Sequence, residues 1–357
     1  MKHPYAAENS LTEKNLQAEI FSVPVVADEL ERMWRIKRPE IARIAAEIAD
    51  RKPANICFFG SGGSFSALYS GYYAMLRYTA LPALYLISPE IVSAMPAALG
   101  PNSVAVGASY SGRTVDTMHA KRYLAEQQVP LLAITKSPDA ELAASANWSL
   151  SYDSIALYSS PAYLTMLLAV ELCRVRREWC AEIEAFEEAL HDLPSLLRRI
   201  AESSRQLAAA RGAELDSSEN LIILAGGCCY TLGYMMAFDM FGEYLKQYCS
   251  FIHYGEFRHG PLEIVGPGEP TMMFLMGNDS SRPFARATLE FGRRNGAPAV
   301  VFDAAELAPK AHPMLDALVL YQSQIWLLYE LACRRGIDLN AYRYMHVVPY
   351  APGDSFY

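Results

Sequence analysis

Short, nearly continuous apolar runs alternate along this chain with longer stretches of helical spacing. "NICFFG" (55–60), "ALYLIS" (83–88), "SVAVGAS" (103–109), "PLLAIT" (130–135) and "WSLSYD" (148–153) are each about one strand long. Runs without polar alternation predict strands covered on both faces, as in a parallel sheet. Between them, 64–79, 114–127 and 139–147 carry helical spacing, with Ser, Thr or Asp near their starts to serve as N-caps. The plan returns later. "NLIILAG" (220–226), "TMMFLMG" (271–277) and "PAVVFDA" (298–304) predict strands, with helices near 230–248 and 281–295. The apolar stretches 155–173 and 317–333 are interrupted by Ser, Pro, Gln or Glu and predict buried helices, not membrane spans.

Two segments echo one another. "ICFFGSGGSFSALYSGYYAM" (56–75) and "IILAGGCCYTLGYMMAFDM" (222–240) both run apolar strand, Gly-rich turn, helix. A repeat at domain length predicts two related α/β units, each a parallel β-sheet flanked by helices in three layers. The expected organisation is an N-terminal helical segment (1–50), a first unit (51–180), an amphipathic helical connection (181–215) and a second unit with the C-terminal tail (216–357).

With 357 residues, 52% hydrophobic and 20% charged, the chain has the composition of a globular protein with a sizeable core. A formal charge of −8 argues against nucleic-acid binding, but not against a small anion held by local N–H groups and hydroxyls. The seven cysteines are scattered, without a C-x-x-C pair, so neither a disulfide framework nor a metal site is expected. The polar start "MKHPYAAENSLTEKNLQ" lacks the apolar region of a signal peptide, and a reducing cytoplasm is the expected compartment.

Two turns of the first unit have the chemistry of a phosphate cradle. "GSGGS" (60–64) and "ASYSGRTVDT" (108–117) each follow a strand and open a helix. Gly62 and Gly63 admit close backbone approach, the helix starts supply a positive end, and Ser64, Ser109, Tyr110, Ser111 and Thr114 line the turns. Neither turn is a Walker A loop, and "GSGGSF" misses the G-x-G-x-x-G spacing by one residue, so a small phosphorylated metabolite is favoured over a nucleotide. In the second unit "AGGCCY" has lost the serines and "NDSSR" stands in place of S-x-S-G-x-T. One unit keeps the anion site and the other is released from it.

"SYSGRTVD", the Gly/Ser turn before it and "GEFRHGP" (255–261) together resemble the sugar isomerase (SIS) superfamily over nearly the whole chain. Within it, the chain is similar to the isomerase half of glucosamine-6-phosphate synthase and more closely to deglycases of phosphorylated Amadori compounds. The resemblance implies that Glu243 carries the proton between C1 and C2 of the open sugar and that His259 opens the ring. Viewed without it, Glu243 is an acid four residues after Asp239, on what would be a solvated helix face were "YMMAFDMFGEYL" not so apolar. The implied reaction passes through an enaminol and a C1 imine to glucose 6-phosphate and a free amino acid, with no cofactor: no metal, nicotinamide or pyridoxal phosphate. The resemblance further implies a homodimer or higher homo-oligomer in which the histidine enters the neighbour's site, with no nucleic-acid or membrane partner. Glu256 and His253 also match the pattern, with N–H binding or packing the expected role of each; Glu256, Arg343 and Tyr344 are candidates for further substrate contacts.

The departures separate the two relatives. Position 2 is Lys where an N-terminal glutaminase has its Cys nucleophile, and Met240 stands where the synthase has a lysine. The tail "AYRYMHVVPY" offers Arg343 and Tyr344 in place of the synthase's reactive lysine. These turn the expectation towards a deglycase. A sugar-phosphate isomerase or amino-sugar phosphate deaminase of the same fold is the alternative enzyme, and a non-catalytic sugar-phosphate sensor the alternative from another class.

Overall fold

A computed structural model describes residues 9–345 and 347–348. Three helices come first: α1 (Asn9–Leu16), α2 (Val23–Ile36) and α3 (Arg38–Asp50). The first unit follows as β1 (Asn55–Gly60), α4 (Gly62–Tyr78), β2 (Ala83–Ile87), α5 (Ser88–Ala94), β3 (Ser103–Ser109), α6 (Val115–Glu126), β4 (Leu131–Thr135), β5 (Trp148–Ser151) and α7 (Ser159–Val175). The long α8 (Ala181–Leu215) leads to β6 (Leu221–Ala225), α9 (Tyr230–Met235), a π-helical segment Met236–Tyr244 and β7 (Ser250–His253). Then come β8 (Thr271–Met276), α10 (Arg282–Arg294), β9 (Ala299–Asp303), α11 (Ala304–Leu307) and α12 (Asp316–Arg334).

Both sheets are parallel throughout and share one strand order. The first runs β2-β1-β3-β4-β5, and the second runs β7-β6-β8-β9. In each, the opening strand lies between its two successors, so the chain reverses direction across the sheet beside it. That reversal opens a crevice at the carboxyl ends of β1 and β3, and of β6 and β8, where open α/β sheets bind ligands. Every residue of β3, β4, β6 and β8 is buried, as the unbroken apolar runs require of strands covered on both faces.

The core runs through both units. Every residue of α7 from Ser159 to Cys173 is buried, and α12 is buried along most of its length. Each fully buried Leu or Met there contributes about 1.5–3 kcal/mol. The units meet where α4 packs on α9: Thr231 Oγ1 donates to the Ser66 carbonyl at 2.8 Å, and the rings of Tyr69 and Tyr230 lie 5.6 Å apart. Among the described residues no helix is long and apolar enough to cross a membrane.

Three local expectations are corrected. Residues 139–147 form turns instead of a helix. Lys121 Nζ takes the Glu141 and Ala144 carbonyls, and the Leu142 N–H donates to the Gly112 carbonyl at 3.0 Å, so these groups serve α6 and the 108–117 turn. The helix near 230–248 changes to π-helical geometry after Met235. Strand β7, short and half-buried at a sheet edge, has no continuous apolar run to announce it.

Candidate functional site

At the first crevice, Ser61 and Thr114 precede α4 and α6 without a side-chain cap hydrogen bond, which leaves first-turn N–H groups of both helices facing the crevice. Gly62 has φ +54°, a left-handed conformation costly for a residue with Cβ. The Ser61 hydroxyl is buried without a hydrogen-bond partner among the described residues, a polar group in the Gly-rich turn beyond those the sequence pointed to. Ser109 is buried; its Oγ lies 2.9 Å from Thr114 Oγ1 and accepts from the Gly112 N–H at 3.0 Å, which shapes the second turn. Ser111 is exposed, with Oγ accepting the Arg113 N–H at 3.2 Å, and Ser64 is half-buried. The Tyr110 phenol is committed elsewhere: it donates to Glu19 and accepts from Lys136 Nζ at 2.6 Å.

The second crevice is filled by the chain itself. There Asp279 Oδ2 accepts the Cys228 N–H at 2.6 Å, and its Oδ1 accepts from the Ser281 N–H at 2.8 Å. A Cβ on Gly227, in the same left-handed conformation as Gly62, would lie 2.0 Å from the Asp279 carboxylate. An internal aspartate thus sits where an anion would bind, which accounts physically for one unit having lost its serines.

Glu243 lies on the π-helical segment, a geometry often found at functional sites. It lines a cavity of about 480 Å³ with Phe238, Gly242, Lys246, Gln247, Tyr248 and the tail residues Tyr342, Arg343, Tyr344 and Met345. Lys246, in left-handed conformation just past the helix end, donates to the carbonyls of Tyr244 at 3.0 Å and Ala341 at 2.7 Å, tying the tail against the helix. Glu243, Arg343 and Tyr344, far apart in sequence, therefore share one cavity. A larger cavity, about 640 Å³, between α8 and the segment Leu307–Leu315 contains none of the residues singled out from the sequence.

Asp239 does not lie on a solvated face. It points at the start of α4: a Cβ on Gly63 would stand 3.3 Å from Asp239 Oδ2. Burial first, and the Glu243 charge second, push its carboxyl up to about 7. Asp239 thus joins the Gly-rich turn to Glu243, a link invisible in sequence because its two halves come from different units.

His259 and Glu256 lie elsewhere. Both are exposed on the turn that follows β7 and are absent from the Glu243 cavity lining. The His259 N–H donates to the Glu256 carbonyl at 2.9 Å, and its Nε2 accepts from Arg258 Nε at 3.1 Å. His253 is half-buried against Tyr230 and Tyr254, with Nδ1 accepting the Gly255 N–H at 3.0 Å; burial lowers its pKa. Cys228 and Cys229 are buried beside the filled crevice, and among the described residues no group of three His, Cys, Asp or Glu is placed to hold a metal.

Comparison with known proteins agrees with this architecture. Residues 47–172 match the SIS domain. The chain is 27% identical over 324 residues to fructoselysine 6-phosphate deglycase of Escherichia coli (strain K12), covering 89% of this chain and 93% of that protein. It is 25% identical over 323 residues to a fructosamine deglycase of Bacillus subtilis (strain 168), covering 87% and 97%. A provisionally assigned phosphosugar isomerase from Salmonella typhimurium LT2 has the same fold, with TM-score 0.81 at 23% identity over 88% of this chain and 97% of that one. Residues 47–172, which hold the first parallel sheet, are thus similar to the SIS domain, and the second sheet repeats the order of the first four strands.

Proposed function

We propose that this chain is a deglycase that splits a 6-phosphorylated sugar–amino acid conjugate of the Amadori type into glucose 6-phosphate and the free amino acid. The observation that carries the reading is the place of Glu243: it lines a cavity one helical turn beyond Asp239, whose carboxylate abuts the Gly62–Gly63 turn. A phosphate held by the open helix starts at 62–64 and 115–117 leaves the far end of a six-carbon chain near Glu243. The deglycase names of the two curated relatives support the same reading.

In this reading the ring opens first, His259 carrying the proton between the ring oxygen and the anomeric hydroxyl. Glu243 then removes a proton from C1, giving the enaminol, and returns one to C2, giving the C1 imine. Water adds to C1, and the C1–N bond breaks to release the amine. His259 is exposed on its own protomer, so it serves a neighbour's site in a homodimer. Exposed Phe238 and Tyr248 beside the Glu243 cavity, 57% and 86% accessible, support a second copy on this face. The substrate is a small phosphorylated metabolite, and the cytoplasm is the proposed place of work.

The test is product analysis on 6-phosphorylated fructosamines. Equal amounts of glucose 6-phosphate and free amino acid are expected, the first read by a coupled dehydrogenase and the second by amino-acid chromatography. Interconversion of fructose and glucose 6-phosphates alone would make the chain an isomerase. Binding without turnover would make it a sensor.

A further inference from the structure

On the deglycase reading, the amine half of the substrate leaves C1 on the side away from the phosphate. Along the π-helical segment and just past its end the order is Asp239 at the Gly-rich turn, then Glu243, then Lys246 and Gln247 with the tail folded over them. The side beyond Glu243 is therefore the cavity walled by Phe238, Tyr248, Tyr342 and Tyr344. We propose that this cavity is the subsite for the amine half, and that Arg343, with Lys246 beside it, binds a carboxylate there, so that conjugates of amino acids are selected over conjugates of simple amines.

The argument rests on charge and position. Arg38, Arg174, Arg198 and Arg282 are all ion-paired with acids of the chain. Among the described residues no carboxylate is ion-paired with Arg343, an exposed residue on the cavity wall. Lys246 feels the attraction of Glu243 first, then the repulsion of Arg343 and the attraction of Asp338, and it is fixed in place by its bonds to two carbonyls. The cavity lining holds two cations, Lys246 and Arg343, against the one carboxylate of Glu243, which leaves it net positive for an incoming anion, and a guanidinium fork matches a carboxylate in two parallel hydrogen bonds. The phosphate has its own place at the helix starts, which leaves the amino acid carboxylate as the anion for this end. The aromatic walls suit the apolar stem between C1 and that carboxylate.

Two pairs of 6-phosphorylated fructosamines test this, each pair differing by a single carboxylate: glycine against methylamine, and lysine joined through its ε-amine against cadaverine. In at least one pair the wild-type protein is expected to show a KM about 10–100-fold lower for the acid, the range of a charged hydrogen-bonded contact. Arg343→Gln should erase that preference while leaving the simple amine within roughly 3-fold, and Arg343→Lys should restore part of it. If the wild-type protein discriminates in neither pair, or Arg343→Gln weakens both members equally, the subsite is overturned. If no conjugate is turned over, the deglycase reading fails by itself. Calorimetric Kd values for the same four compounds then decide the carboxylate preference in the same way.

Discussion

Asp239 gives the prediction with the most direct physical content. Its carboxyl is moved from 3.8 to about 7, mainly by burial against α4 and then by the charge of Glu243. A carboxyl whose pKa is higher in the folded state binds its proton more tightly there, so folding stability falls as pH rises. The loss begins near pH 4, where the unfolded carboxyl ionises, and is complete above about pH 7. Three pH units correspond to about 4 kcal/mol, and partial solvent access brings this to roughly 2–4 kcal/mol. Asp239→Asn keeps the shape and cannot ionise, so it should match the wild-type protein near pH 4 and be more stable at pH 8. For a chain of this length the unfolding entropy is about 0.7 kcal/mol per degree, so the gain is about 3–6 °C in Tm. Asp316, also raised to about 7 by burial, is common to both proteins and cancels in the difference. Scanning fluorimetry from pH 4 to 8.5 reads the result. A Tm difference independent of pH, or a variant less stable than wild type at pH 8, would refute the placement of Asp239 between the two units.

Other outcomes follow from the same geometry. Ser111→Ala should raise KM for the phosphorylated substrate roughly 10-fold with kcat little changed, because the phosphate is held alike in ground and transition states; an unchanged KM in the Ser109/Ser111 double variant would remove these turns from the phosphate site. Glu243→Gln should lower kcat by about 10²–10⁴-fold, the range for deleting a positioned acid/base, and a rate within a few-fold of wild type would end its assignment as proton carrier. Mixing inactive Glu243→Gln with inactive His259→Ala subunits should restore part of the activity; a fully active monomer by light scattering would show that His259 does not act across an interface.

The architecture was legible in the sequence because it is written in local patterns. Strands β1, β3 and β8 are continuous apolar runs, and burial on both faces of a parallel sheet demands such runs. The Gly/Ser turns were legible for the same reason, since positive φ and open helix starts impose residue types within a few positions. What the chain does with those turns was decided by packing. Asp279 fills the second crevice from 51 residues beyond Cys228. Asp239 reaches Gly63 from the other unit, and the tail is held beside Glu243 by the bond of Lys246 to the Ala341 carbonyl and by the contact of Tyr342 with Tyr244. The 139–147 segment had helical spacing, but its Glu141 and Ala144 carbonyls are taken by Lys121. Periodicity reports which face of an element is apolar. It carries no information on which distant polar groups will satisfy one another, and that choice, made by the burial of donors and acceptors in three dimensions, gave the candidate site its second acid and the cations of its cavity lining.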